Sequence, residues 1–378
     1  MATATCNQNA TFNDMGDTGT SVYRSCHAPA IESVNDDAND DSTIPARAAC
    51  ESSQHDDDIT RQLAQVDALM RTSLKAPADW PATAASLYHL STRGNQLRAR
   101  LALLSGAAYG APSQHCIAAA AASELIHNAS LVHDDLCDGD AQRRGQPSVW
   151  RRDNPNVALC SGDLLLTAAF QAAMQSDTPA HCLALLQLLT DRTSRVIAGQ
   201  SIEVADTARP DRQCATSTID NNSQFAQARR ISLGVYLEAT LAKTAPFIAL
   251  PLEAGALGGR LSNDQHRHIR RFAEAVGLAY QIIDDLDDVD LSAVDHCQPQ
   301  TFHAYHAWPQ HWPFFTHQLP DPAWHTLQRC IRHASAALTR AEHLVSHFPE
   351  QLGAALLTIL ARLRDQLQAH RQAMPPSH

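Results

Sequence analysis

The chain has 378 residues, and its 29 basic against 40 acidic side chains give a formal net charge of −11. This acidity argues against a nucleic-acid partner. No run of about 18 apolar residues is free of charges, so we expect no membrane span. The ten cysteines are scattered, with no CxxC pair, which favours a reduced, cytoplasmic protein over a disulfide scaffold.

Residues 1–57 are rich in Ser, Thr, Asn and Asp and poor in large apolar side chains. We therefore expect a disordered acidic and polar N-terminal tail. From residue 58 onward, abundant Ala and Leu and apolar residues spaced three and four apart predict a series of helices. No segment alternates with a period of two, so the predicted fold class is all-α, a single large helical bundle over residues 58–378.

Residues 291–325 interrupt the helical pattern with many His, Pro and aromatic residues. We interpret them as an irregular loop or lid, with helix resuming from 323 to about 372. The aromatic rings could shield a cation through their π faces. Alternatively, the segment is a surface loop or a dimer contact.

Two short segments resemble each other, VHDDLCD at 132–138 and IIDDLDD at 282–288. Each places aspartates at positions i, i+1 and i+4 at the end of an apolar helix, where the first and third share one face. We name them the first aspartate cluster (Asp134, Asp135, Asp138) and the second aspartate cluster (Asp284, Asp285, Asp288).

Carboxylates this close repel one another in a partly buried site unless cations compensate. Mg²⁺ prefers carboxylate oxygens and shares its remaining positions with phosphates and water. Arg143 and Arg144 follow the first cluster, and guanidinium forks suit phosphate oxygens. One cluster alone would indicate a solvated acidic helix end capped by arginines. Two clusters favour a site for a metal-chelated polyphosphate, with Asp140 lying off the metal face.

These segments resemble the trans-isoprenyl diphosphate synthase (polyprenyl synthetase) family. LVHDDLCDGDAQRRGQPS is similar to that family's first aspartate-rich motif and YQIIDDLDD to its second. YLEATLAKTAPFI carries the family's Lys-Thr pair at Lys243 and Thr244, and Lys243 is one of only two lysines in the chain. The resemblance covers roughly residues 60–290. It implies the isoprenoid synthase type of helical bundle, with a central active-site cavity, and a homodimer.

The resemblance also implies a Mg²⁺-dependent prenyltransferase, with three Mg²⁺ per site, that joins an allylic diphosphate to isopentenyl diphosphate. The metal ligands would be Asp134, Asp135, Asp138 and Asp284, with Asp288 as a further ligand, direct or through water. Asp285 and Lys243 complete the catalytic residues. Substrate-binding roles fall on Arg143, Arg144, Gln281, Thr244, His127, Arg98, Asn95 and Gln200.

RGNQLRA at 93–99 departs from the pattern, because it stands where the family has GGKRxRP. Asn95 replaces the lysine and Gln96 the arginine that follows, and a lost charge-assisted contact costs about 1.5–3 kcal/mol. Either isopentenyl diphosphate binds weakly, or Arg93 or Arg100 replaces the missing charge, or isopentenyl diphosphate is not a substrate.

The last possibility favours an alternative function. A class I terpene synthase would keep both aspartate clusters and ionise an allylic diphosphate without a second substrate. A third alternative is a non-catalytic partner subunit, which the two complete clusters disfavour.

Ala129 and Ser130 lie one turn before Asp134, where side chains would point down the cavity. A large aromatic residue there would form a floor, so these small ones predict a product of C20 or longer, as in a geranylgeranyl diphosphate synthase. Alternatively, they are small so that helices pack closely, and a deeper residue forms the floor.

Overall fold

The computed structural model describes the backbone of residues 44–92, 94–207, 233–287 and 323–373, and the side chains of 58–92, 94–202, 237–287 and 327–373. Helices and one small hairpin make up the regular structure of these ranges, so the predicted all-α class is confirmed. The helices are α1 (Ile44–Thr72), α2 (Pro81–Ser91), α3 (Leu97–Tyr109), α4 (Ser113–Asp138), α5 (Val149–Arg152), α6 (Pro155–Ala173), α7 (Pro179–Thr207), α8 (Leu233–Lys243), α9 (Pro246–Ala256), α10 (Asn263–Asp287), α11 (Ala323–Val345) and α12 (Glu350–Ala373). The hairpin pairs β1 (Gln142–Arg143) with β2 (Gln146–Pro147).

Local signals set the helix ends that matter for the site. Gly139 has a φ of 76° and ends α4 directly after Asp138, as glycine does at many helix C-termini. Asn154 caps α6 by accepting a 2.9 Å hydrogen bond from the Val157 amide. Pro246 stands at the first turn of α9, where a missing backbone N–H costs nothing. Asp134, Asp135 and Asp138 lie at the end of α4, and Asp284 and Asp285 lie at the end of the described part of α10.

Helix α9 is the centre of the molecule, since all eleven of its residues are buried. It contributes to two apolar clusters, one formed mainly with α10, α11 and α12 and the other with α1 to α7. Helix α3 contributes to both clusters as well. Because α4 and α10 each pack on α9, the two helices that carry the aspartates share one rigid support.

Glycine allows α3 and α9 to approach closely. A Cβ placed on Gly255 of α9 would lie 2.0 Å from the Ala102 carbonyl oxygen of α3. A Cβ on Gly106 of α3 would lie 2.3 Å from the Cys116 sulfur of α4. A larger residue at Gly255 would displace the backbone of α3, and one at Gly106 would displace the Cys116 side chain.

The structure differs from the sequence predictions at three boundaries. Helix α1 begins at Ile44, so the backbone of residues 44–57, which were predicted as part of the tail, is helical. The stretch YLEATLAKTAPFI, which is continuous and mostly apolar in the sequence, is divided between two helices, α8 and α9, because Pro246 starts a new one. The C-terminal helix predicted over 323–372 is likewise two, α11 and α12. Residues 1–43 and 288–322, with most of the predicted lid, lie outside the described residues.

Candidate active site

The first aspartate cluster occupies the last turn of α4. Asp135 points inward with 1% of its side chain exposed, whereas Asp134 is half-buried and Asp138 is exposed. Asp134 and Asp138 therefore present their carboxylates towards solvent from the end of the helix, which is where a solvated metal ion could reach them. Asp135 is set apart by its burial.

Asp135 is paired with Arg143. The Arg143 Nε donates a 2.7 Å hydrogen bond to Asp135 Oδ1, and its Nη2 contacts the same oxygen. Arg143 Nη2 also lies 3.3 Å from Asp140 Oδ2. Burial raises the pKa of Asp135 to about 6, although the Arg143 charge opposes the shift. The arginine predicted to hold a phosphate is thus engaged with a carboxylate predicted to hold a metal ion, and Asp140 lies beside it.

Arg144 and Gly145 form the turn of the small hairpin. Both have positive φ values, 54° and 72°, as a two-residue hairpin turn requires. This conformation costs a non-glycine residue about 1–2 kcal/mol, so the surrounding structure must hold Arg144 there. A Cβ on Gly94 would lie 2.9 Å from the Arg144 Cζ, which shows how closely the guanidinium packs on that loop.

Three side chains hold the hairpin against α2 and α4. The hydroxyl of Ser148 and the indole N–H of Trp150 donate hydrogen bonds of 2.6 and 2.7 Å to the Asp140 carbonyl. The Tyr88 hydroxyl donates a 2.8 Å bond to the Pro147 carbonyl. Arg152 stacks over the Tyr88 ring with its Cζ 4.0 Å from the centroid. These contacts fix the backbone on both sides of Arg144.

A buried basic cluster lies behind the hairpin and comprises His89, Arg98, His127 and Arg144. Burial, followed by the charges of Arg98 and Arg144, lowers the pKa of His127 well below its usual value. Burial and the nearby Arg144 and Arg143 lower the pKa of His89 to about 3. Two neutral histidines and the neighbouring guanidinium groups of Arg98 and Arg144 make surroundings that favour an anion. The structure thus brings together the predicted residues Arg98, His127 and Arg144.

Asn95 forms a turn just before helix α3 instead of supplying a charge. Its Oδ1 accepts a 3.2 Å hydrogen bond from the Leu97 amide, an arrangement that a lysine side chain cannot form. Gln96 follows with a φ of 51°. The exposed Arg100, one candidate to replace the lost charge, has its Nε 3.4 Å from the Asn95 carbonyl oxygen. Arg93, the other candidate, lies outside the described residues.

The second aspartate cluster is held by a short relay of hydrogen bonds. The Thr244 hydroxyl donates to Gln281 Oε1 at 2.9 Å, and Gln281 Nε2 donates to Asp285 Oδ1 at 2.9 Å. Asp285 is buried, whereas Asp284 is half-buried and 3.4 Å from the Tyr280 hydroxyl. Thr244 and Gln281, which were predicted to bind substrate, orient this carboxylate. Asp288 lies outside the described residues.

Lys243 ends α8 next to Gly199 of α7. A Cβ on Gly199 would lie 2.6 Å from the Lys243 amide nitrogen, so only glycine allows this approach. The adjacent Gln200 has both amide atoms buried, and the described residues supply no hydrogen-bond partner for them. Burying an unsatisfied amide is costly, so Gln200 is suited to meet a polar ligand beside Lys243.

The two predicted chain-length residues lie on α4 as expected. Ala129 is buried within the apolar cluster of α1 to α7, and Ser130 is half-buried with its hydroxyl donating a 2.8 Å bond to the His127 carbonyl. The hydroxyl of Ser130 is therefore satisfied by its own helix. Ala129 packs in the core. Its role in product length and its role in close helix packing both stay predictions.

Several functional contacts were missed by sequence reasoning. The Arg143–Asp135 pair, the support that Tyr88 and Trp150 give the hairpin, and the burial of His89 join residues whose contacts no spacing rule predicts. Only the adjacent Arg-Gly dipeptide signalled a turn at 144–145.

The sequence profile of the family described as Polyprenyl synthetase matches residues 81–296, more than half of the chain, and includes both aspartate clusters. The chain belongs to the polyprenyl synthetase family. The members of this family therefore provide the comparison for its fold and its activity.

Two curated family members illustrate the similarity. A short chain isoprenyl diphosphate synthase of Methanothermobacter thermautotrophicus is 30% identical over 233 residues, 61% of this chain and 66% of that protein. A (2E,6E)-farnesyl diphosphate synthase of Mycobacterium tuberculosis is 32% identical over 193 residues, 51% of this chain and 48% of that protein. The chain thus spans about half to two thirds of the length of these relatives.

Solved polyprenyl synthetase structures share the fold. The apo structure of an FPP/GFPP synthase from Zymomonas mobilis aligns with a TM-score of 0.58 at 25% identity, covering 80% of this chain and 97% of that one. In the described part of this chain, every helix is too short or too polar to cross a bilayer.

Proposed function

We propose that the protein is an isoprenyl diphosphate synthase that condenses an allylic diphosphate with isopentenyl diphosphate. The observation that carries this proposal is the buried basic cluster of His89, Arg98, His127 and Arg144 next to the first aspartate cluster. An enzyme that ionises one diphosphate needs the aspartates and the cations beside them, whereas a second diphosphate needs a further cationic site. Its curated relatives are named as synthases of this kind.

Mg²⁺ fits the residues present. Asp134, Asp138 and Asp284 offer accessible carboxylate oxygens, the donors that Mg²⁺ prefers, and Asp288 is proposed as a further ligand. When bound, three Mg²⁺ ions would neutralise the diphosphate so that it leaves. Asp135 would join them as its contact with Arg143 loosens, since the same oxygen cannot serve both fully.

Different residues of the chain would bind the two diphosphates. Lys243, Gln200 and the released Arg143 would hold the oxygens of the allylic diphosphate, while Thr244 and Gln281 keep Asp285 in place. Arg144, Arg98 and His127 would hold the second diphosphate. The allylic C–O bond breaks with its electron pair leaving on the diphosphate, the double bond of isopentenyl diphosphate attacks the cation, and a proton is lost to the departing diphosphate.

Asn95 supports a second candidate, the class I terpene synthase. Its side chain is used by the Leu97 amide and carries no charge, so the second diphosphate has lost one cationic contact. A chain without a functional second site would convert the allylic diphosphate alone into a hydrocarbon or alcohol. Incubation with Mg²⁺ and allylic diphosphate, with and without isopentenyl diphosphate, separates the two.

The product length is proposed as C20 or longer because Ala129 and Ser130, one turn before Asp134, are both small. Replacing Ala129 with Tyr should shorten the main product, as measured by chromatography of the dephosphorylated prenols. Unchanged length would show that a deeper residue forms the floor.

A homodimer is also proposed. Helices α6 and α7 expose the apolar side chains of Leu159, Leu183 and Ile197, each more than half exposed, and a second copy of the chain could cover them. Light scattering after size exclusion tests this state. A cytoplasmic location stays a prediction from the scattered cysteines.

A further inference from the structure

Two histidines and an aspartate meet at a corner of the fold remote in sequence from the aspartate clusters. His115 lies in the first turn of α4, Asp177 precedes α7, and His181 lies in its first turn. One ligand atom from each lies within 4.8 Å of the others. The His181 Nδ1 is 2.7 Å from Asp177 Oδ1, and the two imidazole centroids are 5.3 Å apart.

The tautomer of His115 is fixed by its partners. Its Nε2 lies 2.8 Å from the Ala254 carbonyl oxygen, which can only accept, so Nε2 carries the proton. Its Nδ1 lone pair then faces the Ser176 hydroxyl at 2.7 Å. Burial lowers the pKa of His115, which keeps the ring neutral. Histidines that bind metal ions usually donate their other N–H to such a carbonyl, because this orients the ring.

The Ser176 hydroxyl hydrogen-bonds to the lone pair of His115 Nδ1, and a metal ion bound at Nδ1 would take its place. The hydroxyl also lies 3.2 Å from Asp177 Oδ1 and can donate its proton to that oxygen instead. With Ser176 displaced from Nδ1, His115 could act as a ligand together with Asp177 and His181. His181 needs only to carry its proton on Nε2 for its Nδ1 to serve as a ligand.

We propose that His115, Asp177 and His181 form a binding site for Zn²⁺ or a similar transition-metal ion. Two imidazole nitrogens and one carboxylate oxygen are a donor set that selects Zn²⁺ over Mg²⁺. Ser176 or water fills the fourth position. The site is distinct from the Mg²⁺ ligands of the proposed reaction, both in its residues and in its nitrogen donors.

Such an ion would tie three helices together. His115 belongs to α4, His181 to α7, and the Ala254 carbonyl that orients His115 to α9. Helix α4 carries the first aspartate cluster at its other end, so the ion would fix its start while the reaction takes place at its end. Its role is structural and does not depend on the proposed synthase activity.

The test uses the full-length protein, stripped with chelator and dialysed against Zn²⁺ in excess Mg²⁺, so that carboxylate-only sites are filled. Metal analysis should find one tightly bound Zn²⁺ per chain. His181→Ala, which removes a half-buried ligand, should weaken that Zn²⁺ by more than about tenfold. Asp177→Asn, which keeps the side-chain volume, should do the same, and Co²⁺ substituted at the site should show the visible absorption of a four-coordinate ion.

The matched control is His347→Ala, which removes an exposed histidine stacked on His268 at 3.9 Å without touching the site. It should retain the tight Zn²⁺. The proposal is overturned if the wild-type chain holds no tight Zn²⁺, or if His181→Ala and His347→Ala bind it equally well.

Discussion

Arg143 pairs with the buried Asp135 carboxylate. It neutralises Asp135 and contacts Asp140, so the buried carboxylate is compensated before any metal ion arrives. A substrate complex would replace this contact by metal–carboxylate and arginine–phosphate contacts. The balance between the two sets of contacts depends on the ionisation of Asp135, whose pKa burial raises to about 6.

Arg143→Gln should move the acid limb of the pH–activity profile to higher pH. Removing the positive charge removes the influence that lowers the pKa of Asp135, so this carboxyl stays protonated to a higher pH, by about one unit or more. The profile of kcat/KM between pH 5 and 8 measures the shift.

Asp140→Asn provides the control with the opposite sign. Asp140 raises the pKa of Asp135, so its loss should move the acid limb to lower pH. Shifts in the same direction for both variants would contradict the role assigned to Asp135.

Position 95 carries an asparagine where the family pattern has a lysine. Its side chain supplies no charge and accepts a hydrogen bond from the Leu97 amide. Asn95→Lys should lower the KM for isopentenyl diphosphate by about ten- to a hundredfold, because it restores a charge-assisted contact. It should also destabilise the start of α3 by about 1 kcal/mol, since the Leu97 amide loses its acceptor. Steady-state kinetics and urea unfolding measure the two effects.

Asn95→Asp is the matched control, since it keeps the acceptor for the Leu97 amide and adds a negative charge. It should leave stability within about 0.5 kcal/mol and raise the KM. Equal KM values in the two variants would show that position 95 does not face the second diphosphate.

Among the helices, α9 depends on close contact with α3 at Gly255. Gly255→Ala should lower the free energy of unfolding by about 1–3 kcal/mol, because the new Cβ would lie 2.0 Å from a backbone oxygen of α3. Urea unfolding followed by circular dichroism measures this loss.

Gly353→Ala in α12 serves for comparison. Its Cβ would lie 3.2 Å from Val345 Cγ1, a contact that a shift of a few tenths of an ångström relieves, so the gain of about 0.5–1 kcal/mol from helix propensity can be realised in part. If Gly353→Ala lowered the free energy of unfolding as much as Gly255→Ala, the close approach of α3 and α9 would be contradicted.

The buried Glu253 joins α7, α9 and α10. It accepts hydrogen bonds of 2.9 Å from Arg192 and from Arg270. Glu253→Gln should cost about 3–5 kcal/mol, because the buried Arg192 is left with only the half-exposed Asp191 as a counter-charge. Glu342→Gln, which breaks the exposed pair with Arg364, should cost about 1 kcal/mol or less.

The Glu253 carboxylate also makes the stability of the fold depend on pH. Burial alone would raise the pKa of Glu253, but His266, Arg192 and Arg270 together hold it at about 2. A depressed pKa stabilises the fold above the usual glutamate value of 4.5, and this stabilisation is lost as the pH falls towards 2. Glu253→Gln should flatten the fall in stability over that window, and an unchanged slope would contradict the ion-pair network.

In the molecule as a whole, the sequence was sufficient where a local pattern determines the structure. The apolar spacing predicted α4 and α10, and the aspartates at their ends followed from helix geometry. The contacts of Arg143 with Asp135 and of Tyr88 with Pro147 join residues 8 and 59 positions apart, which no local pattern encodes. The start of α1 was missed because the polar run ESSQHDDD at 51–58 separates its first residues from the apolar spacing that begins at Ile59.

The central claim is that two diphosphates are bound and joined, and product analysis tests it most directly. Protein incubated with Mg²⁺, isopentenyl diphosphate and a C5, C10 or C15 allylic diphosphate should release diphosphate and form a prenyl diphosphate longer by five-carbon units. Arg144→Gln should raise the KM for isopentenyl diphosphate more than that for the allylic substrate. A hydrocarbon or alcohol formed from the allylic diphosphate alone, in equal amount with and without isopentenyl diphosphate, would contradict the claim.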